Sequence, residues 1–142
     1  MTTLVLIATI GGERVAMNAA AVESVVDLWQ IVPVPGAANF VIGLAAVRSR
    51  VLTVIDAAAA VGLRAKATGN RAIVVETSGH RYALRVDSIA DVVSPLGPVM
   101  PLESCIASNW TGVGVGTVDT PYGFAVLIDP VLLIAGPLAQ AA

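Results

Sequence analysis

Apolar residues in this chain fall into short blocks separated by glycine, proline or charge, not into the long 3.6-residue periodicity of amphipathic helices. Leu4 to Ile10 and Ala72 to Thr77 are runs rich in β-branched residues, followed by Gly11-Gly12 and Ser78-Gly79. Those pairs supply the positive φ that tight hairpins require. Glu13 to Met17 and His80 to Val86 read as the returning strands. Val41 to Val47 and Val51 to Ile55 are expected to pair around Arg48-Ser49-Arg50. Gly112 to Val118 and Gly123 to Ile128 are expected to pair around Asp119-Thr120-Pro121. Ala19 to Ser24 suits a helical turn or a bulged strand, and the pattern does not choose between them. Pro33 and Pro35 mark an extended, edge-like connection. Asp56 precedes Ala57 to Val61 with Gly62 after it, and Asp129 precedes Pro130 to Ile134 with Gly136 after it. An aspartate that accepts from first-turn N–H groups, with glycine past the end, predicts a short capped helix at each place.

These blocks repeat. Residues 4–26 align without a gap on residues 71–93, with Gly12 on Gly79, Arg14 on Arg81 and the apolar positions in register. Further on, Val41-Ile42-Gly43-Leu44 resembles Trp110-Thr111-Gly112-Val113, and Val51 to Asp56 resembles Phe124 to Asp129, each ending in Ile-Asp. The chain thus reads as two related units of about 65 residues. The predicted fold is mainly β: two five-stranded SH3/OB-like β-barrels packed around a shared hydrophobic core, with a short helix closing each unit. Residues 1–142 form a single domain on this reading. Subdomain one covers about 13–70 and subdomain two about 71–130, with the terminal segments 4–12 and 131–138 as candidates for crossing over.

Composition tests that picture. The chain is 56% hydrophobic and 13% charged, with mean hydropathy +0.84, which excludes intrinsic disorder. The charge-free stretch Leu28 to Val47 is long enough to span a bilayer, but Pro33, Pro35, Gly36 and Gly43 would leave its backbone unpaired in lipid. The charge-free tail after Asp129 is too short and is broken by Pro130, Gly136 and Pro137. No basic region precedes Leu4 to Ile10, so no signal peptide is expected, and the expected compartment is the cytoplasm. Net charge is −2 and Lys66 is the only lysine, which argues against phosphate-backbone binding to nucleic acid. The apolar excess is assigned instead to two barrel interiors and their interface.

Candidate chemistry is sparse. His80, the only histidine, sits at a predicted turn without an indicated partner. Cys105, the only cysteine, lacks the spacing of a metal site or a catalytic pair and excludes an intrachain disulfide. Asp87 and Asp91 are read as a solvated face beside apolar Val86, Ile89, Val92 and Val93. Gly112-x-Gly114-x-Gly116 differs from the dinucleotide fingerprint and opens no helix. It reads as a strand with a bare face against another backbone or a partner. Arg48, in an apolar hairpin, is an exposed tip, a structural ion pair or a partner contact. Trp29, Phe40, Trp110 and Tyr122 are the aromatic anchors, most of them expected in the core. No catalytic residue, metal ligand or cofactor site is expected.

Several of these segments, in order and spacing, resemble the CheW-like domain family over about residues 4–135. They are Val22 to Val26, Pro33 to Gly36, Phe40-Val41-Ile42-Gly43-Leu44, Val47-Arg48 and Val51 to Asp56. Val86 to Val93 and the Gly112/Gly114 strand resemble the second half. The resemblance implies two five-stranded barrels on one core. It also implies a non-enzymatic coupling protein of bacterial chemotaxis, joining the cytoplasmic helical hairpin of chemoreceptors to the regulatory domain of a CheA-type histidine kinase. The receptor hairpin would lie in a groove between the barrels. The implied location is cytoplasmic, recruited to membrane-associated receptor arrays without direct membrane insertion. Carried over by motif, the partner-binding residues are Val22, Ser24, Phe40, Ile42, Gly43 and Arg48. The family's Asn-Leu-Arg-Gly hairpin is Ala46-Val47-Arg48-Ser49 here, and a common glutamate is replaced by Ser24. A divergent adaptor of a non-motility chemosensory pathway and a small-ligand-binding barrel are the alternatives.

Overall fold

A computed structural model describes residues 4–36, 40–63, 70–101, 110 and 112–134. Ten strands run in chain order: β1 (Val5–Ile10), β2 (Glu13–Asn18), β3 (Ser24–Asp27), β4 (Val41–Val47), β5 (Arg50–Asp56), β6 (Arg71–Thr77), β7 (His80–Arg85), β8 (Ser88–Val93), β9 (Gly114–Thr120) and β10 (Gly123–Ile128). A helical turn α1 (Ala57–Ala60) follows β5, and a second, α2 (residues 130–134), follows β10. Both are capped as expected. The Asp56 side chain accepts from the Ala59 N–H at 3.3 Å and Asp129 from the Val131 N–H at 3.0 Å. The ambiguous Ala19–Ala21 segment is a 3-10 turn whose start is capped by Asn18.

The strands form two five-stranded sheets, ordered β8-β1-β2-β10-β9 and β3-β6-β7-β5-β4. We call them the first and second sheet. Each contains one hairpin from one repeat and three strands from the other. The β1–β2 hairpin completes the sheet of β8, β9 and β10, while β6–β7 completes the sheet of β3, β4 and β5. The sheets therefore do not follow the sequential division near residue 70 expected above. The joints are two parallel pairings, Val15↔Val126 with Ala16↔Leu127, and the matching set Tyr82↔Thr53 through Arg85↔Asp56. Parallel partners need long connections, so hairpin-scale patterning carries no trace of them.

Exchange explains the apolar composition. β1 sends Val5 and Ile7 into a cluster with Ala16, Val118 and Ala125 inside the first sheet. Its alternate residues Leu6, Ala8 and Ile10 enter a core shared with Ile73, Val75 and Leu84 of the second sheet. β6 does the same in reverse, with Ala72 and Val74 facing Leu28, Leu52 and Val54 inside its own sheet. Both hairpins are covered on two faces, so they read as continuous apolar runs instead of alternating ones. The shared core also takes Trp110, which is 1% exposed, and Leu133 of α2.

Each sheet gathers a close backbone crossing at one edge strand. Val32 and Leu44 exchange two backbone hydrogen bonds of 2.8 Å, and Met100 and Thr117 exchange bonds of 2.8 and 2.9 Å. These crossings lie over Gly43 and Gly116. A Cβ on Gly43 would sit 2.2 Å from the Val32 carbonyl oxygen, and one on Gly116 would sit 2.5 Å from that of Met100. Gly43 thus corresponds to Gly116, not to Gly112 as local similarity suggested. The bare-strand reading of the glycine run holds at Gly116.

Three further expectations change. The β9–β10 turn is Pro121-Tyr122, with Asp119 and Thr120 still in the ladder. Asp87 is not on a solvated face. It is 7% exposed, and its carboxylate accepts the Gly12 N–H at 2.9 Å, tying the β1–β2 turn to the end of β7. Trp29 is not a core anchor, being 83% exposed. Cys105 and Lys66 lie outside the described residues, as do residues 135–138 of the segment 131–138.

Candidate functional site

Arg48 occupies the tip of the β4–β5 hairpin. Val47 pairs with Arg50, leaving Arg48 and Ser49 as a two-residue turn with φ +52° and +65°. Positive φ at both central positions matches the right-handed strand twist, and such turns favour asparagine and glycine. Arginine and serine there carry conformational strain. Arg48 is exposed and forms no ion pair with any described residue. Of its three sequence readings, the structural ion pair within the described residues is removed.

Two hollows flank Arg48 between the β3 side and the hairpin. One, about 410 Å³, is lined by Ser24, Glu23, Arg48, Arg50 and Arg81 over an apolar floor that includes Leu52 and Val74. The other, about 680 Å³, runs from Arg48 along Leu28, Trp29, Val32 and Leu44. Ser24 and Arg48, far apart in sequence, are thus brought to one site by the sheet's own curvature. Arg81 is held there by Glu23, whose two carboxylate oxygens accept its Nε–H at 3.0 and 2.9 Å.

The other carried-over residues lie elsewhere. Val22 and Phe40 are half-buried against the shared core. Ile42 packs on the interior of the second sheet, and Gly43 is buried beneath the Val32 crossing. Val22 also borders a hollow of about 340 Å³ with Ala20, Ala21, Val75, Pro130 and Val131. A neighbouring hollow of about 330 Å³ shares Ala21 and Pro130 and reaches Val115 and Leu127 of the first sheet. Together they make a groove between the 3-10 turn and α2, where Ala20, Ala21 and Pro130 are joined by the acidic Glu23, Glu76 and Asp129. Sequence reasoning missed Ala20, Ala21, Pro130 and Val131. Pro130 and Val131 could be placed beside the Asp129 cap, but Ala20 and Ala21 sit in a segment whose pattern left its conformation open.

Exposed apolar side chains recur at equivalent places on the two sheets. Val51 on β5 is 67% exposed and Phe124 on β10 is 69% exposed, and these residues correspond in the repeat. Single exposed apolar residues are ordinary, and these two lie on separate sheets. No helix among the described residues is long and apolar enough to cross a membrane.

This architecture, with exchanged hairpins, paired crossings over Gly43 and Gly116, and a groove between sheets, defines a module built for contact. Residues 4–135 match the CheW-like domain, and the chain belongs to that family. The family is a scaffold and adaptor family of chemotaxis signalling, without a catalytic role. Among solved structures, the chain is similar to the scaffolding protein TtCheW from Thermoanaerobacter tengcongensis. The match has a TM-score of 0.79 at 21% sequence identity and covers 91% of this chain and 90% of that one. At that identity the likeness speaks for the fold. No curated protein sequence matches significantly.

Proposed function

We propose that this chain couples the cytoplasmic helical hairpin of a chemoreceptor to the regulatory domain of a CheA-type histidine kinase, through contacts alone. The observation that carries the reading is the groove shared by the two sheets. Ala20, Ala21 and Val22 lie there beside Pro130 and Val131, with Glu23 and Glu76 on the same lining, which offers a helix an apolar strip with acidic flanks, as helix-in-groove recognition uses. Val22, Ser24, Phe40, Ile42, Gly43 and Arg48 are the proposed partner-binding residues. Ser24 and Arg48 act through the exposed hairpin site. Phe40, Ile42 and Gly43 act by fixing the strand that presents it. Recruitment to receptor arrays at the membrane follows from partner binding.

Arg48→Glu tests the reading. The side chain is exposed and makes no ion pair with a described residue, so the variant is expected to keep its thermal transition while losing co-sedimentation with receptor and kinase. Unchanged co-sedimentation removes Arg48 from the interface. Failure of the unaltered protein to recover a CheA-type kinase from its native cell removes the coupling role.

A further inference from the structure

The second sheet carries a positively charged hollow on a chain whose net charge is −2. Of the guanidinium groups lining it, that of Arg81 is already engaged, by Glu23 at 2.9 Å and Glu76 at 3.3 Å. Arg48 and Arg50 line the same hollow without an ion pair to any described residue. The two flank Ser49: Arg48 and Ser49 form the positive-φ turn, and Arg50 opens β5 directly after it. Strain of this kind is retained where the side chains it presents have work to do. The Ser24 hydroxyl stands on the same rim.

Beneath the charges the lining is apolar, with Leu52 and Val74. Arg48 also borders the neighbouring hollow, where Trp29 stands largely exposed. Two unneutralised forks above an apolar floor, beside an uncovered indole, match a ligand that carries carboxylates and hydrocarbon together. Guanidinium groups suit carboxylates in geometry as well as charge.

We infer that Arg48 and Arg50 receive paired carboxylates on an acidic, amphipathic segment of a protein partner, whose apolar residues lie against Trp29. The inference rests on the adaptor reading and supplies the chemistry by which one partner is recognised. Phosphate would satisfy the two forks but leave the apolar lining and Trp29 uncovered.

Trp29 provides the readout, because Trp110 is buried. The full chain is titrated with a synthetic helical peptide bearing glutamates at i and i+4 with leucine between them, and indole emission is followed. Parallel titrations use the same peptide with glutamine for glutamate, and inorganic phosphate. The glutamate peptide is expected to shift the emission, with affinity falling as salt rises. The glutamine peptide should bind about two- to thirty-fold more weakly, the loss suited to two solvent-exposed ion pairs. Arg48→Asn combined with Arg50→Gln should produce the same loss for the glutamate peptide and none for the glutamine peptide; asparagine tolerates positive φ. Arg50→Gln alone, outside the turn, serves if the double variant unfolds. Trp29→Phe should abolish the signal.

Equal binding of the two peptides, equal binding to the double variant, or a signal that survives Trp29→Phe would each overturn the inference. So would saturation of the site by phosphate alone. Co-sedimentation separates the two proposals. Wild-type protein that assembles with receptor and kinase yet ignores the glutamate peptide sinks this inference and leaves coupling standing. Charge-dependent peptide binding without any co-assembly does the reverse.

Discussion

Replacing Gly43 with alanine should be the most damaging single-methyl change in the second sheet. The added Cβ would lie 2.2 Å from the Val32 carbonyl oxygen and 2.7 Å from its carbon. The obstructing atoms are backbone, so no rotamer change relieves the clash. Overpacking of this kind costs about 1–3 kcal/mol. Moving Val32 away also breaks its two hydrogen bonds to Leu44, each 2.8 Å and each worth about 0.5–1.5 kcal/mol net. The expected loss is therefore about 2–6 kcal/mol, a large share of the roughly 5–15 kcal/mol that holds a domain together. Gly97→Ala is the matched control, because nothing lies within 4 Å of its added Cβ. Urea unfolding of both variants, followed by far-UV circular dichroism, reads the difference. With a slope of about 1–3 kcal/mol/M, the Gly43→Ala midpoint should fall by about 0.7 M or more. Gly97→Ala should stay within about 0.5 kcal/mol of the parent. If the two variants unfold together, the Val32 crossing does not constrain the fold and the correspondence of Gly43 with Gly116 loses its physical meaning.

The exchanged hairpins predict that a chain cut between residues 66 and 67 yields two fragments, neither able to complete a sheet alone. Mixing them should restore the circular dichroism of the intact chain, whereas a folded spectrum from either fragment by itself would contradict the exchange. Asp87→Ala should lower stability by about 1.5–3 kcal/mol, because the Gly12 N–H loses a charged acceptor; a chemical denaturation curve matching wild type would show that the link is idle. Acrylamide quenching should resolve two tryptophan populations, and Trp29→Phe should remove the accessible one. Uniform protection in the parent protein would count against the exposed placement of Trp29.

Much of the local structure was legible because it rests on local chemistry. Gly11-Gly12 and Ser78-Gly79 announce tight turns, and Asp56 and Asp129 announce caps, since each effect is decided within a few residues. The continuous apolar runs of β1 and β6 even signal burial on two faces. Which sheet each hairpin joins was not legible, because the parallel pairings of β2 with β10 and of β5 with β7 bring together segments far apart in sequence and leave no local mark. The bare face of the glycine run was legible, but not that Gly116 is the counterpart of Gly43, because the crossing that decides it, at the Met100 carbonyl, lies outside the strand. Trp29 and Asp87 fail for one cause: side-chain type sets a preference for burial, while the neighbouring strands decide it. At the candidate site, Arg48 could be singled out from its apolar surroundings. Its company with Arg50, Arg81 and Ser24 appears only once the sheet is folded.

Hairpin exchange also sets a schedule for synthesis. β2 ends at residue 18 and its partner β10 at residue 128. At about 5–20 residues per second, the first hairpin leaves the ribosome roughly 5–20 s before the strand that completes its sheet. For that interval both of its apolar faces lack their final cover. The nascent chain is therefore a natural client for chaperones that shield short hydrophobic segments. Variants that slow assembly without weakening the finished protein should show themselves as lowered yield in the cell.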